Sequence, residues 1–124
     1  MIKVHDIAYI RFAAPDLDAM ERFLVDFGLS VHHEGTGPDE RLYARGTDGI
    51  PYVHVTQPGE ARFIGMGFAA KDQGDLAKAA ELPGASGIEK LEGPGGGERV
   101  RFADPDGFVV DVVGGRAELE PLLQ

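Results

Sequence analysis

The sequence predicts an α+β domain made of two βαβββ modules, and the first observation behind this prediction is a repeated spacing. Asp6-Ile7-Ala8-Tyr9 recurs 57 residues later as Phe63-Ile64-Gly65-Met66, and Tyr52-Val53-His54-Val55 recurs at the same offset as Val109-Val110-Asp111-Val112. A period of this length covers one supersecondary unit, and two copies indicate a duplicated module rather than a solenoid. The second observation is composition: 124 residues, 43% hydrophobic and 27% charged, are enough for one globular domain with a real core.

The first module spans about residues 3–56 and opens with a strand and a well-marked helix. Lys3–Phe12 is rich in β-branched and aromatic residues and precedes Ala13-Ala14-Pro15, which predicts a strand and its end. Asp16 is placed to cap the following helix, and Gly28 is placed to end it. The apolar stripe of this helix is Leu17, Met20, Phe23, Leu24 and Phe27. Three short strands, separated by glycine-containing turns, are predicted at 30–34, 41–46 and 51–56.

The second module, about residues 62–113, repeats this order. A strand at 62–69 precedes a helix that Asp72 can cap and Pro83-Gly84 can end. The glycine-rich segment 93–97 predicts a loop, because so many glycines are too costly in backbone entropy inside an element. The remaining strands are predicted at 88–91, 99–102 and 108–113, the last two joined across Asp104-Pro105-Asp106-Gly107. We therefore expect one domain over residues 1–115, followed by a tail or linker at 116–124.

Charge and composition narrow the range of partners. The formal net charge is −9 and no cluster of lysine and arginine interrupts it, which disfavours nucleic acid and anionic membrane surfaces. No apolar stretch of about 18 residues and no signal-peptide pattern is present, so a cytoplasmic protein is expected. The chain has no cysteine, which excludes disulfides, thiolate metal sites and a cysteine nucleophile. Any metal must be held by histidine, carboxylate or water.

Strand alternation sorts the strand residues into two faces. One parity gives an apolar layer that the two helices can cover, with members Ile7, Tyr9, Val53, Val55, Ile64, Met66, Phe68, Phe108, Val110 and Val112. Residues of the opposite parity form the face on which a functional site is expected, and they are Asp6, His54, Phe63 and Asp111.

Several segments resemble the vicinal oxygen chelate superfamily of glyoxalases, extradiol dioxygenases and bleomycin-resistance proteins. They are Asp6-Ile7-Ala8-Tyr9-Ile10, Pro15-Asp16-Leu17, Phe23 through Leu29, and Asp104 through Asp111. The resemblance covers roughly residues 3–115, and within the superfamily the sequence looks most like the N-terminal part of extradiol-dioxygenase-like proteins. It implies that the two modules form curved mixed sheets around a cup. Because members of this superfamily often complete their cups across a two-fold interface, a homodimer is also expected.

The resemblance also implies a divalent metal held by residues of strands one, four, five and eight. In this sequence those positions carry Asp6, His54, Phe63 and Asp111, of which Phe63 cannot ligate. One histidine and two carboxylates suit Fe²⁺ or Mn²⁺ better than Ni²⁺ or Zn²⁺. The metal would chelate two neighbouring oxygens of the substrate. Without metal, His54 could act as a catalytic acid or base that Asp111 orients.

A second interpretation needs no cofactor. His54 could be hydrogen-bonded to Asp111 or Asp6, which satisfies all three groups without a metal. In either case Arg99 and Arg101 would offer guanidinium groups to a ligand.

Tyr52 and Phe63 would supply the aromatic wall of the cup. The leading hypothesis is a metal-dependent glyoxalase-like or extradiol-dioxygenase-like enzyme acting on a small, aromatic, vicinal-oxygen substrate. The alternatives are a metal-free small-molecule or antibiotic-sequestering protein, and the non-catalytic N-terminal domain of a larger dioxygenase.

Overall fold

The fold follows the predicted order of two βαβββ modules. The computed structural model describes residues 4–46, 49–103 and 105–117, without the side chains of residues 4–6. The first module contains β1 (Val4–Ala14), α1 (Leu17–Asp26), β2 (Ser30–Glu34), a 3-10 turn (Gly37–Asp39), β3 (Arg41–Arg45) and β4 (His54–Pro58). The second contains β5 (Arg62–Ala70), α2 (Gln73–Ala80), β6 (Ile88–Lys90), β7 (Glu98–Ala103) and β8 (Val109–Gly114). Within the described ranges, neither helix is long and apolar enough to cross a membrane.

Both helices begin where the sequence predicts, because each has an aspartate at the capping position. The Asp16 carboxylate accepts a hydrogen bond from the backbone N–H of Ala19 at 3.0 Å. The Asp72 carboxylate accepts one from the N–H of Asp75 at 3.1 Å. Each bond satisfies one of the N–H groups that a helix leaves unpaired in its first turn.

The strands form one mixed sheet in the order β2-β3-β4-β1-β5-β8-β7-β6. Within each module the first and last strands pair in parallel, β1 with β4 and β5 with β8. The modules join where β1 runs antiparallel to β5. Although four strands separate β3 from β7, Arg41 and Arg99 line the same cavity of about 150 Å³, so the sheet curls into a cup.

The two helices cover one face of the sheet. On α1, Leu24 packs in a buried cluster with Leu42 and Ala44 of β3. The corresponding cluster of the second module contains Leu76, Ala79, Val100 and Val112. The other face of the sheet, here called the cup face, buries a third cluster made of Ala8, Tyr9, Tyr43, Tyr52, Val55, Leu91 and Val113.

Part of the predicted alternation is wrong, because the pairing of β1 with β5 contains register shifts. Ile7 pairs with Phe68 but Tyr9 pairs with Gly67, so the register shifts by one residue between them. This shift moves Tyr9 from the predicted helix side to the cup face. Val55 also lies on the cup face, beside Tyr43, and not under the helices.

Candidate functional site

The centre of the cup is Asp111 on β8, whose side chain is 1% exposed. Arg101 on the neighbouring strand donates to both carboxylate oxygens, through Nε to Oδ1 at 2.8 Å and through Nη2 to Oδ2 at 3.1 Å. The Tyr9 hydroxyl donates to Oδ2 at 2.5 Å. Charge-assisted bonds of this two-pronged kind are among the strongest in proteins, so Asp111 is held in one orientation.

The ionisation of the groups around Asp111 fits this arrangement. Burial, followed by the nearby charge of Asp111, raises the pKa of Tyr9 far above its ordinary value. Tyr9 therefore keeps its proton and remains a hydrogen-bond donor. The hydrogen bond to Asp111 raises the pKa of Arg101.

A cluster of three tyrosines fills the cup beside this carboxylate. The rings of Tyr9 and Tyr43 lie 5.3 and 4.8 Å from that of Tyr52, centre to centre. The Arg116 guanidinium lies 4.5 Å from the centre of the Tyr52 ring and its Nη2 donates to the Tyr52 carbonyl at 2.7 Å. Burial raises the pKa of Tyr43 to about 12. This end of the cup is packed protein interior.

The loop between β6 and β7 closes over these tyrosines. The Tyr52 hydroxyl donates to the carbonyl of Glu92 at 3.2 Å. A Cβ added at Gly93 would lie 2.6 Å from a carbon of the Tyr43 ring, and the φ of Gly93 is +96°. Only glycine fits such a close approach in this backbone conformation. The sequence correctly predicts a loop here, and the structure shows what it covers.

The other end of the cup is open and cationic. It contains a cavity of about 150 Å³ lined by Arg11, Arg41, Gln57, Leu91, Glu92, Arg99, Arg101 and Val109. Two of the predicted ligand-binding residues, Arg99 and Arg101, therefore line a cavity. Tyr52, the third, is on the cup face but has no exposed surface, so it supports the cup and does not line the cavity.

His54 lies on the opposite face of the sheet from Asp111. Its position pairs with Ile10 of β1 and Ala44 of β3, and its ring stacks on Phe12 at 5.2 Å between centres. The Thr56 hydroxyl is 3.4 Å from Nδ1. Burial lowers the pKa of His54, which leaves the ring neutral near pH 7.

Phe63 is also on the helix side, not on the cup face where the sequence predicts it. A register shift between Arg11 and Phe12 pairs Phe63 with Phe12, whose ring it meets edge-on at 5.5 Å. Its other aromatic neighbour is Phe108, at 5.9 Å. Phe63 therefore cannot form the predicted aromatic wall of the cup.

Of the three predicted ligands Asp6, His54 and Asp111, the latter two cannot hold a single metal ion together as the structure places them. His54 and Asp111 are on opposite faces, and both oxygens of Asp111 are hydrogen-bonded. The side chain of Asp6 is outside the described residues, while its backbone pairs with Ala69. Within the described part of the chain, no group of three histidine or acidic side chains could hold a metal.

Sequence reasoning missed several residues of the cup, namely Tyr9, Arg11, Arg41, Tyr43 and Arg116. A signal for most of them exists in the alternation of arginine and tyrosine at every second position. It appears as Tyr9 and Arg11 on β1, and as Arg41 and Tyr43 on β3. The partner of Tyr9 could not be identified in this way, because Asp111 is 102 positions away.

Comparisons with known proteins agree with the resemblance seen in the sequence. No family model matches the chain. Over 116 residues it is 34% identical to metapyrocatechase 2 of Cupriavidus necator, a match covering 88% of this chain and 33% of that protein. The chain thus spans about a third of the length of the relative it matches.

Solved structures show the same fold. The Mn(II)-bound glyoxalase from Novosphingobium aromaticivorans superposes with a TM-score of 0.82 at 24% identity, over 100% of this chain and 43% of that one. A variant of homoprotocatechuate 2,3-dioxygenase from B. fuscum superposes with a TM-score of 0.78 at 25% identity, over 98% and 35%. The same dioxygenase from Brevibacterium fuscum, complexed with 3,4-dihydroxyphenylacetate, gives 0.75 at 23%, over 98% and 40%. These matches confirm the predicted vicinal oxygen chelate fold.

Proposed function

We propose that this chain is a small-molecule-binding domain of the extradiol-dioxygenase type, whose cup works without a metal held by Asp6, His54 and Asp111. The observation that carries the proposal is the engagement of Asp111 by Arg101 and Tyr9. A carboxylate held on both oxygens by a guanidinium and a hydroxyl already has its charge balanced. Asp111 and Arg101 thus form a structural ion pair at the base of a ligand cavity.

Binding of a metal ion by Asp111 and His54 would require a large rearrangement of the residues around them. Metal–oxygen bonds of about 2.0 to 2.2 Å would displace the Arg101 or Tyr9 donor from Asp111. His54 would have to leave its stack on Phe12 and cross to the other face of the sheet. Each displaced donor would lose its partner inside the protein, and a buried donor left unpaired costs about 1 to 3 kcal/mol.

The length comparison also supports this proposal. Because the chain matches about a third of metapyrocatechase 2, it corresponds to one part of a larger dioxygenase. A part that holds no catalytic metal can still bind or position a ligand, or support the part that does. Activity of the whole relative is therefore not required of this domain.

A metal-dependent enzyme of the glyoxalase or dioxygenase type is the second candidate. It is favoured by the 34% identity to metapyrocatechase 2 and by the likeness to a Mn(II)-bound glyoxalase. Fe²⁺ or Mn²⁺ would be the metal of choice for a site of nitrogen and oxygen donors.

Anaerobic titration with Fe²⁺, Mn²⁺, Ni²⁺ and Zn²⁺, followed by calorimetry, separates the two candidates. Wild type would be compared with His54→Ala and Asp111→Asn, and with His32→Ala as a control for the exposed histidines. Circular dichroism would check that each variant is folded. The proposal expects no stoichiometric binding that depends on His54 or Asp111. One-to-one binding lost in both variants and kept in His32→Ala would overturn it and favour the metal-dependent candidate.

A further inference from the structure

The open end of the cup concentrates positive charge in a strongly acidic protein. The chain has 12 lysines and arginines against 21 acidic residues. Four of those 12 cations, Arg11, Arg41, Arg99 and Arg101, line one cavity of about 150 Å³. Among the described residues of this lining, Glu92 is the one acid. The lining of the cavity is thus net positive although the whole chain is net negative, and this local excess of positive charge requires an explanation.

Two of the four guanidinium groups already have acidic partners. Arg101 donates to both oxygens of Asp111. Arg99 donates through Nη1 to Oε1 of Glu89 at 2.7 Å, at the rim of the cup where Glu89 is about half exposed. These two charges are therefore balanced without a ligand.

The other two guanidinium groups have no acidic partner among the residues that the structure describes. Nη1 of Arg41 donates to the backbone carbonyls of Pro38 and Glu40, at 3.1 and 2.8 Å. Arg11 lies with its guanidinium 5.6 Å from the centre of the Tyr9 ring. Neither contact neutralises the positive charge, and both side chains are only partly exposed.

Holding these cations together is unfavourable unless something negative lies between them. Like charges repel more strongly in a partly buried cavity than in bulk water, because the effective dielectric constant is lower. A guanidinium presents planar N–H groups that match the two oxygens of a carboxylate or phosphate. The amide of Gln57, also in the lining, can add a neutral donor.

We propose that this cavity binds a compact oxyanion with two negative charges, with Arg11 and Arg41 as the principal contacts. The inference rests on the proposed function, because it takes the cup as a ligand cavity and names the ligand class. A cavity of about 150 Å³ has the volume of about five water molecules. That size suits a short dicarboxylate or a phosphate group, and the two share the chemistry that the arginines recognise.

Calorimetric titration of the full chain, stripped of metal with EDTA and then dialysed free of EDTA, tests the proposal at low ionic strength and in a buffer without competing anions. The probes are malonate and inorganic phosphate, with acetate as the singly charged control and malonamide as the neutral counterpart of malonate. We expect one-to-one binding of malonate or phosphate that weakens as salt is added. Acetate should bind at least tenfold more weakly, and malonamide should give no measurable heat. Whether malonate or phosphate binds more tightly identifies the ligand source.

Variants locate the site. Arg11→Gln and Arg41→Gln remove charges that take part in no ion pair with a described residue, so both proteins should remain folded. Each should weaken binding of the dianion at least tenfold, whereas Arg22→Gln, exposed on α1, should leave it within twofold. The proposal is overturned if neither dianion binds, if malonamide binds as tightly as malonate, or if both cavity variants keep wild-type affinity. Metal binding that requires His54 and Asp111 would defeat the proposed function alone, since the anion titration is done on metal-free protein.

Discussion

Replacing Arg101 with methionine tests whether the ion pair at the base of the cup carries much of the stability. Methionine keeps part of the aliphatic bulk but leaves the buried Asp111 carboxylate without two charge-assisted hydrogen bonds. Breaking a fully buried pair in this way costs about 3 to 5 kcal/mol. The Arg101 side chain is 31% exposed, so water can replace part of the loss. We therefore expect a loss of about 2 to 4 kcal/mol in the free energy of unfolding.

Urea unfolding monitored by circular dichroism would measure this loss, and a thermal scan should show a fall of roughly 4 °C in Tm per kcal/mol for a chain of this length. Arg99→Met is the matched control, because Arg99 pairs with a half-exposed glutamate and should cost less than about 1 kcal/mol. Adding Asp111→Asn to Arg101→Met should restore about 1 kcal/mol or more, since the amide is neutral and can still accept from Tyr9. A loss below about 1 kcal/mol in Arg101→Met, or no recovery in the double variant, would refute the reasoning.

Two further predictions concern the packing of the cup and the surface of the first module. Gly67→Ala would place a Cβ 2.6 Å from a carbon of the buried tyrosine ring on β1, and should cost about 1 to 3 kcal/mol in urea unfolding; Gly46→Ala, with no atom within 4 Å, is its control. The hydrogen bonds that the His33 ring donates to Glu21 and then to Glu40 raise the pKa of His33, so the folded protein binds this proton more tightly than the unfolded chain. Its stabilising contribution is complete below the ordinary histidine pKa of about 6.5 and disappears as the pH rises through the folded pKa. His33→Gln should accordingly lower Tm at about pH 5.5 and match wild type at about pH 9, and an equal deficit at both would contradict this.

The elements could be predicted from the sequence because their signals are local. Asp16 and Asp72 cap the two helices as expected, and each strand begins or ends at a turn that its neighbours in sequence determine. The strand bounds differ from the prediction by no more than a few residues, the largest difference being the start of β4 at His54. The parallel and antiparallel pairings then follow from two copies of one module.

The site could be predicted only in part, because strand faces depend on features that alternation does not reveal. The register shift between Ile7 and Tyr9 puts Tyr9 on the face opposite to the one that alternation from Ile7 predicts, so the predicted face of Tyr9 is wrong. His54 has the same offset from Asp111 that relates the two modules, yet it lies on the other side of the sheet. Arg101 was predicted as a ligand-binding residue, and its role toward a ligand stays a prediction. Its bond to Asp111 became visible only when β7 and β8 were paired.

The order of strands in the sheet has a consequence for how the cup is assembled during synthesis. Each parallel pair closes within one module, so each half of the sheet can form as soon as its own strands have been made. The Tyr9 hydroxyl, in contrast, must wait for a partner 102 positions later. At about 5 to 20 residues per second, that wait is roughly 5 to 20 s on the ribosome. The hydrogen bond between Tyr9 and Asp111 at the centre of the cup therefore cannot form until β8 has been made.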